Sequence, residues 1–318
     1  MVKRKKLTQI SAYVSGIALL LLIIAGCAPF GREQTVHLDT EDSQVAVVAK
    51  MDQTASVYTF SFDSRMDPAD DVKMYAPFLR YLEQTTGYRF KMLPMTPSDN
   101  IVEALGQARV DVAAIGTLSY LQAHQKYGIR VIAAGLTEQR NAEYRALIIT
   151  AENSNLHSLQ DLKGKTFAFG AETSTQGHLI PLIMLDNAGI KLADLAGYTF
   201  TGSHFNTANA VLSGRYAAGG IQDKLGRELA AKGLIRILAE SENFPSSTIS
   251  VSPALPEDVV EKIQAALLAF QPEGKDKASL YNWDQSEMPL GFVTTNDQAF
   301  EKVRTWAVRL GLLGGNLP

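Results

Sequence analysis

The chain is 318 residues long; 46% of its residues are hydrophobic and 20% are charged. This length accommodates two domains of ordinary size, and the apolar fraction supports packed cores, which excludes a disordered chain. The formal net charge is −3, from 30 basic and 33 acidic residues, so the overall field would not attract nucleic acid.

The N-terminus has the parts of an export signal. A basic cluster, Lys3-Arg4-Lys5-Lys6, precedes an apolar run over residues 13–24, and small residues follow up to Cys27. This arrangement resembles a bacterial lipoprotein signal, which predicts cleavage of residues 1–26 and attachment of lipid to Cys27. The alternative is a simple N-terminal anchor, for which the run is short of the roughly 20 residues that span a bilayer.

The predicted mature protein is exported and held by lipid at the cell membrane or the outer membrane. Residues 27–55 are polar and aperiodic, which indicates a flexible tether. Cys27 is the only cysteine, so the exported part has no disulfide. Removal of residues 1–26 takes away four basic residues and no acidic one, which leaves 26 basic and 33 acidic residues, a net charge of −7. Local groups must therefore attract any anionic ligand.

Strand and helix patterns alternate from residue 57 onward. The periodicity predicts strands over 57–62, 88–93, 110–115, 129–135 and 146–150, with helices over 71–86, 100–108 and 120–127 between them. Ser98-Asp99 is the predicted cap of the second of these helices. Helix-sized connections between strands are typical of parallel β-α-β units, which predicts the α/β class.

The same alternation continues over residues 151–250. Strands are predicted over 166–169, 198–201, 216–221 and 235–239, and helices over 179–188, 206–213 and 224–232. Crossings near Thr150 and Ser250 would then divide the chain into two α/β lobes. The first lobe takes residues 56–150 plus 251–318, the second takes 151–250, and a ligand cleft lies between them.

The stretch 164–181, GKTFAFGAETSTQGHLIP, reads as a strand, a loop of small residues and a capped helix. Ser174 and Thr175 can cap the first free amides of that helix. Such a helix start presents N–H groups and the positive end of the helix dipole to an anion. The alternative is that these residues only cap an ordinary helix of an α/β core.

Four segments carry a resemblance to a known family when taken in order. They are YLEQTTGYRF, RVDVAAIGTLSYLQA, LQDLKGKTFAFGAETSTQGHLIP and TGSHFNTANAVLSGR. The chain resembles the phosphonate, phosphite and phosphate substrate-binding proteins of ABC importers from about residue 57 to residue 310. That resemblance implies the type II periplasmic-binding-protein fold, in which two α/β lobes close over a small oxyanion and present it to an ABC permease. It also implies a protein that acts as a monomer.

The resemblance implies which residues bind the oxyanion. On the second lobe, Ser174 and Thr175 would bind it together with the amides through Gly177, and His204 would add a side-chain donor; on the first lobe, the turn from Gly116 to Ser119 would supply further donors. His178 could line the pocket or pack at the helix start. The implied ligand-binding set is Ser174, Thr175, Gln176, Gly177, His178, Ser203, His204, Thr117, Leu118, Ser119, Asp99 and Ser247.

Three positions depart from the family pattern. Asp99 replaces an aromatic residue, Tyr216-Ala217 replace an acidic strand position, and Ser247 occupies an acidic position near the return crossing. Carboxylates in such pockets accept protons from a ligand or pair with its amine. Asp99 or Asp223 could substitute, although Asp99 also fits a helix cap. The departures count against an aminophosphonate and leave phosphate, phosphite or another small oxyanion open.

The sequence contains little evidence for other functional classes. It contains no GxSxG, GxxxxGK[ST] or HExxH motif and no Cys-His metal spacing, so we expect no enzyme, no catalytic residue, no metal and no cofactor. Ser174 near His178 could be a nucleophile and its base, but no acid partner is identified. The same fold could also sense a ligand for a membrane signalling partner, or bind a different small anionic metabolite.

Overall fold

The computed structural model describes residues 55–63, 68–96 and 99–314, in which strands and helices alternate. The predicted signal peptide, Cys27 and the predicted tether up to residue 54 lie outside the described residues. Within these ranges, no helix combines the length and the apolar composition needed to cross a membrane.

A six-stranded sheet forms the core of the first lobe. Its strands are β1 (Val57–Phe62), β2 (Arg89–Met92), β3 (Val112–Ile115), β4 (Arg130–Gly135), β12 (Thr248–Val251) and β13 (Phe292–Val293). Their order is β13-β4-β12-β3-β1-β2. β1 pairs in parallel with β2 and β3, whereas β12 is antiparallel to β3 and β4. Every residue of β3 and β12 is buried, as expected for strands covered on both faces.

A five-stranded sheet forms the core of the second lobe. Its strands are β6 (Ala146–Ala151), β7 (Thr166–Phe169), β8 (Gly197–Phe200), β9 (Ala218–Gln222) and β10 (Ile235–Glu240), in the order β10-β6-β9-β7-β8. β7 pairs in parallel with β8 and β9. Its last three residues are buried, and the loop that begins at Gly170 follows directly.

Two chain crossings connect the lobes, and they pair with each other. β5 (Glu143–Tyr144) and β11 (Phe244–Pro245) form a two-stranded antiparallel ladder. The crossings therefore come earlier in the chain than the predicted positions near Thr150 and Ser250. The predicted lobe boundaries need correction for the same reason: β6 hydrogen-bonds to β9 and β10 in the second sheet, and β12 hydrogen-bonds into the first.

Eight α-helices connect or cover these strands within the described ranges. They are α1 (Pro68–Thr86), α2 (Ile101–Gly106), α3 (Thr117–Tyr127), α4 (Ile180–Asn187), α5 (His204–Leu212), α6 (Asp223–Ala231), α7 (Glu257–Ala269) and α8 (Glu301–Arg309). The predicted cap of α2 is wrong. Asn100 is its N-cap and accepts from the N–H groups of Val102 and Glu103, whereas the Asp99 carboxylate accepts from the N–H and hydroxyl of Thr96.

Apolar packing brings the helices of the two lobes together. Leu121 of α3, Ile183 of α4 and Val303 of α8 belong to one continuous buried cluster. This cluster contains residues of both sheets, so the two lobes share one apolar core in this structure.

A cluster of aromatic side chains ties the C-terminal segment to the first lobe. Phe78 of α1 is fully buried, stacks on Trp283 with ring centroids 4.8 Å apart, and lies 5.3 Å from Phe270 and 5.7 Å from Phe292. Aromatic rings at these separations contribute beyond their buried area.

We expect Phe78→Ala to lower the free energy of unfolding by about 3–5 kcal/mol, because it leaves a cavity at the centre of this cluster. Urea unfolding followed by tryptophan fluorescence would measure the loss. Tyr281→Ala is the control, since that side chain is 44% exposed and its removal should change the stability by less than about 0.5 kcal/mol. Equal losses in both variants would contradict the role assigned to the cluster.

Candidate functional site

A cavity of about 580 Å³ lies between the two lobes. The first lobe contributes Asp63, Thr96, Asp99 and Gly116 to its lining, and the second contributes Glu172, Ser174, Thr175, Gln176, Ser203 and His204. The described lining residues include three carboxylates and neither lysine nor arginine. An anion bound here would therefore be held by hydrogen bonds from neutral groups of the described chain.

The predicted helix cap at Ser174 is present, and the turn that it caps is wider than an α-helical turn. The Ser174 Oγ accepts from the Gly177 N–H at 2.9 Å, and the Ser174 carbonyl accepts from the Leu179 N–H at 3.1 Å. Thr175–Leu179 is thus a π-helical turn that leads into α4. Wide turns of this kind are frequent at functional sites, and the first N–H groups of the turn have no acceptor within it.

Close approach of two glycines explains the wide turn. The Gly170 N–H donates to the Gly177 carbonyl at 2.8 Å, and a Cβ on Gly177 would lie 3.0 Å from the Gly170 Cα. A side chain at either position would push the turn away from the end of β7. The small residues in the loop are therefore needed for backbone contact as well as for turning the chain.

Two hydroxyl groups at this turn each accept a hydrogen bond from a backbone N–H. The Ser174 Oγ accepts from Gly177, and the Thr175 Oγ1 accepts from the Leu118 N–H of the other lobe at 2.8 Å. A hydroxyl that accepts one hydrogen bond still has its own proton to donate. Because both residues line the cavity, each can donate to a ligand oxygen there.

The first-lobe turn from Gly116 to Ser119 does not serve as predicted. The Thr117 hydroxyl donates to the carbonyls of Pro245 and Ser246, at 3.0 Å and 3.2 Å, so it holds the return crossing instead. The Leu118 N–H donates to the Thr175 hydroxyl of the other lobe, and the Ser119 hydroxyl donates to the Asp63 carboxylate. Protein acceptors already satisfy these groups, so these contacts give no support to the prediction that the turn supplies a second set of donors to the ligand.

The acceptor at this turn is Asp63, which the sequence analysis missed. Its Oδ2 accepts from the Gly116 N–H at 2.8 Å and from the Ser119 hydroxyl at 3.1 Å, and the residue lines the cavity. Asp63 directly follows β1, so it lies at the carboxyl end of a parallel strand. That position is where ligands bind in α/β sheets and was the one signal available in the sequence.

His204 lines the cavity from the first turn of α5. Ser203 is the N-cap of that helix, and its Oγ accepts from the Asn206 N–H at 3.1 Å. The helix begins at His204 because of this cap, two residues before the predicted start at Asn206. His204 is 5% exposed, and its Nδ1 accepts from the Gln222 N–H at 3.3 Å. A neutral ring that accepts at Nδ1 carries its proton on Nε2, where it can donate.

His178 is a packing residue in this structure, which resolves the alternative left open by the sequence. It lies between Phe169 and Phe200, with ring centroids 5.2 Å and 4.7 Å away, and its Nδ1 lies 2.6 Å from the Glu172 carbonyl. It is absent from the cavity lining, so its predicted place in the binding set is not supported. Burial lowers the pKa of this ring, which favours its neutral form. Because the Glu172 carbonyl can only accept, the proton of the neutral ring belongs on Nδ1.

The remaining predicted carboxylates and serines separate into two groups. Asp99 lines the cavity, is exposed, and has its pKa lowered by the hydrogen bonds from Thr96. Asp223 instead lines a smaller neighbouring cavity of about 70 Å³ and contacts the Gln176 amide at 3.4 Å; burial raises its pKa. Ser247 is fully buried, donates to the Glu287 carboxylate and is not among the residues that line the larger cavity, so its predicted role gains no support.

Sequence comparison places the chain among transport proteins. A sequence model of the family described as "ABC transporter, phosphonate, periplasmic substrate-binding protein" matches residues 60–300. The probable ABC transporter phosphite binding protein PhnD1 of Prochlorococcus marinus is 28% identical over 173 residues, which is about half of each chain (52%). The phosphate-import protein PhnD of Mycolicibacterium smegmatis is 25% identical over 253 residues, 72% of this chain and 78% of that protein.

Solved structures confirm the predicted fold. PhnD1 of Prochlorococcus marinus in complex with methylphosphonate has a TM-score of 0.73 at 19% identity, covering 81% of this chain and 99% of that chain. A binding protein component of an ABC phosphonate transporter from Pseudomonas aeruginosa has a TM-score of 0.71 at 19% identity, covering 80% and 86%. The fold is that of the type II periplasmic binding proteins, and the chain belongs to the family of periplasmic substrate-binding proteins of phosphonate ABC transporters.

Proposed function

We propose that this chain captures a small phosphorus oxyanion (a phosphonate, phosphite or phosphate) in the cavity between its lobes and presents it to an ABC permease. The observation that carries the proposal is the set of side-chain donors that the second lobe places in the cavity lining. The hydroxyls of Ser174 and Thr175 each accept one backbone hydrogen bond, which leaves their protons to donate, and His204 lines the same cavity. The names of the relatives point to the same class of ligand.

Neutral donors suit a site in a negatively charged protein. Buried or half-buried N–H and O–H groups bind an oxyanion strongly because few waters compete, and they reject an anion that leaves some of them unpaired. The wide turn adds N–H groups at Thr175 and Gln176, both of which line the cavity. The number of donors that a ligand can satisfy would therefore set both the affinity and the selectivity of the site.

Contacts between the lobes would stabilise the closed form that a permease recognises. The Leu118 N–H donates to the Thr175 hydroxyl at 2.8 Å, so the proposed anion-binding turn itself bridges the lobes. At the smaller neighbouring cavity, Lys224 of α6 pairs with Glu138 at 2.8 Å and also donates to the Asp284 carbonyl. Hinge closure of this kind is the usual motion of periplasmic binding proteins, and a monomer suffices for it.

Lipid attachment at Cys27 would keep the binding domain close to its permease. The basic cluster, the apolar run and the small residues before Cys27 support this part of the proposal. The folded domain would then act outside the cytoplasm, tethered to the membrane by the polar segment that follows.

Calorimetric titration with phosphate, phosphite, methylphosphonate, 2-aminoethylphosphonate and sulfate tests the ligand class. We expect tight binding of at least one phosphorus oxyanion and a loss of about tenfold in affinity for Ser174→Ala and for His204→Ala, because each change removes one donor worth about 1–2 kcal/mol. Ser213→Ala is the matched control, since Ser213 ends α5 outside the cavity. Absence of binding to every phosphorus oxyanion would contradict the proposal.

The anchoring is tested separately with Cys27→Ser in a bacterial host. We expect the wild-type protein in the membrane fraction with a lipid detectable by mass spectrometry, and the variant without lipid. The affinity for the oxyanion should stay the same, because the described domain begins well after Cys27. Lipid-free wild-type protein would refute the anchor without affecting the ligand assignment.

A further inference from the structure

We propose that the ligand of this site carries its phosphate or phosphonate group on a neutral, hydroxylated carbon skeleton about the size of a hexose. This inference rests on the proposed function and deepens it, because it names the class of molecule that bears the oxyanion. It assigns a role to the part of the larger cavity that lies away from the Ser174 and Thr175 hydroxyls.

The cavity is large for a bare oxyanion. An engineered apolar cavity of about 150 Å³ holds benzene, with its six non-hydrogen atoms, which corresponds to about 25 Å³ for each atom. On this scale the cavity of about 580 Å³ accommodates about 20 such atoms. Phosphate and methylphosphonate have five, and a hexose phosphate has sixteen. The volume therefore matches a substituted oxyanion, and it lies in the range that is usual for organic ligands.

The lobes that enclose this volume are already in contact with each other. The Leu118 N–H of the first lobe donates to the Thr175 hydroxyl of the second lobe at 2.8 Å. Lys224 of α6, in the second lobe, pairs at 2.8 Å with Glu138, which follows β4 of the first lobe. Because these contacts join the lobes directly, the volume is that of a cavity between touching lobes.

The cavity extends along the carboxyl ends of three parallel strands of the first lobe. β3, β1 and β2 are neighbours in that order, and each is followed by a residue of the cavity lining, Gly116, Asp63 and Met95 respectively. Neighbouring strands lie about 4.8 Å apart, so the ends of β3 and β2 are about 10 Å apart. The Thr175 Oγ1 lies at the β3 end, 3.1 Å from the place of a Cβ built on Gly116. A ligand group at the β2 end must therefore be separate from an oxyanion bound by Thr175.

The residues that follow β2 form the wall at this far end. We call it the distal wall, and it consists of Met95, Thr96, Asp99, Asn100 and Ile101. The Asn100 Oδ1 accepts from the first N–H groups of α2 at 2.9 Å and 3.3 Å, so the amide nitrogen is the group that can donate to a ligand. The Asp99 carboxylate accepts from Thr96 and has only acceptor oxygens. Hydroxyl groups suit this wall, because they both donate and accept.

The lining also limits the charge of the substituent. Asp99 and Glu172 are exposed carboxylates of the lining, and its described residues include neither lysine nor arginine. A second anionic group on the ligand would therefore meet like charges without a counter-charge. Met95 and Ile101 add apolar side chains to the distal wall, against which a carbon skeleton can pack. A neutral polyol skeleton satisfies these conditions, whereas a second phosphate group does not.

Calorimetric titration of the full chain, purified in detergent, with phosphate, glucose 6-phosphate and fructose 1,6-bisphosphate tests this inference. We expect glucose 6-phosphate to bind about 10- to 100-fold more tightly than phosphate, because its hydroxyls add hydrogen bonds to the distal wall. The bisphosphate should bind more weakly than glucose 6-phosphate. The phosphonate analogue of glucose 6-phosphate, with CH₂ in place of the bridging oxygen, distinguishes an ester from a phosphonate as the preferred linkage.

Two variants of the distal wall test its role. Met95→Trp fills the far end of the cavity, so the preference for glucose 6-phosphate over phosphate should fall to within about threefold. Asn100→Ser removes the amide donor but keeps a residue type that caps helices, and it should lower the preference about fivefold. Lys91→Trp is the matched control, since Lys91 is exposed on β2 and is not among the lining residues; it should keep the wild-type preference.

The outcomes separate this inference from the proposed function. Thermal melting verifies that the variants fold, and the wild-type preference alone decides if they do not. The inference is overturned, with a small oxyanion kept as the ligand, if the wild-type protein binds phosphate as tightly as glucose 6-phosphate, if it binds the bisphosphate more tightly, or if a folded Met95→Trp keeps the wild-type preference. If none of these compounds and no small phosphorus oxyanion binds, the proposed function fails too. A preference that is lost in Met95→Trp and kept in Lys91→Trp supports the inference.

Discussion

Gly170 and Gly177 approach each other so closely that the Gly170 N–H donates to the Gly177 carbonyl, and the rest of the site depends on this contact. It holds the start of the helix against the end of β7 and widens the first turn. In the widened turn, the Ser174 hydroxyl accepts from the Gly177 N–H, and the Thr175 hydroxyl accepts from the Leu118 N–H of the other lobe. One backbone contact thus sets the donors of the second lobe and the contact between the lobes.

Much of this architecture could be predicted from local sequence patterns. The alternation of apolar strands with capped helices indicated the α/β class, and the Ser174 cap follows from the small-residue loop before a helical pattern. The width of the turn could not be predicted in the same way. It arises from the contact between Gly170 and Gly177, and a one-dimensional pattern does not show which glycine meets which neighbour.

The first-lobe side of the site was harder to predict, because its contacts join distant parts of the chain. Asp63 bonds to Gly116 and Ser119, which are 53 and 56 residues away in sequence. Thr117 was predicted in the turn before a helix starting at Tyr120, whereas it is the first residue of α3 and its hydroxyl donates to the return crossing. The packing of His178 was equally hard to predict, because it depends on contacts with Phe169 and Phe200. Residue type and spacing identified the candidates, and tertiary contacts decided which of them reach the cavity.

The place of β12 in the first sheet has a consequence for the order of folding. β12 pairs between β3 and β4, although the whole second lobe separates it from them in the chain. All strands of the second sheet lie between residues 146 and 240, so they can pair as soon as that segment is available. The first sheet has to wait for residues 248–251 and for β13, and long-range pairing of this kind is slow. The part of the described domain that is synthesised first would therefore be completed last, after the lobe encoded in the middle of the chain has formed.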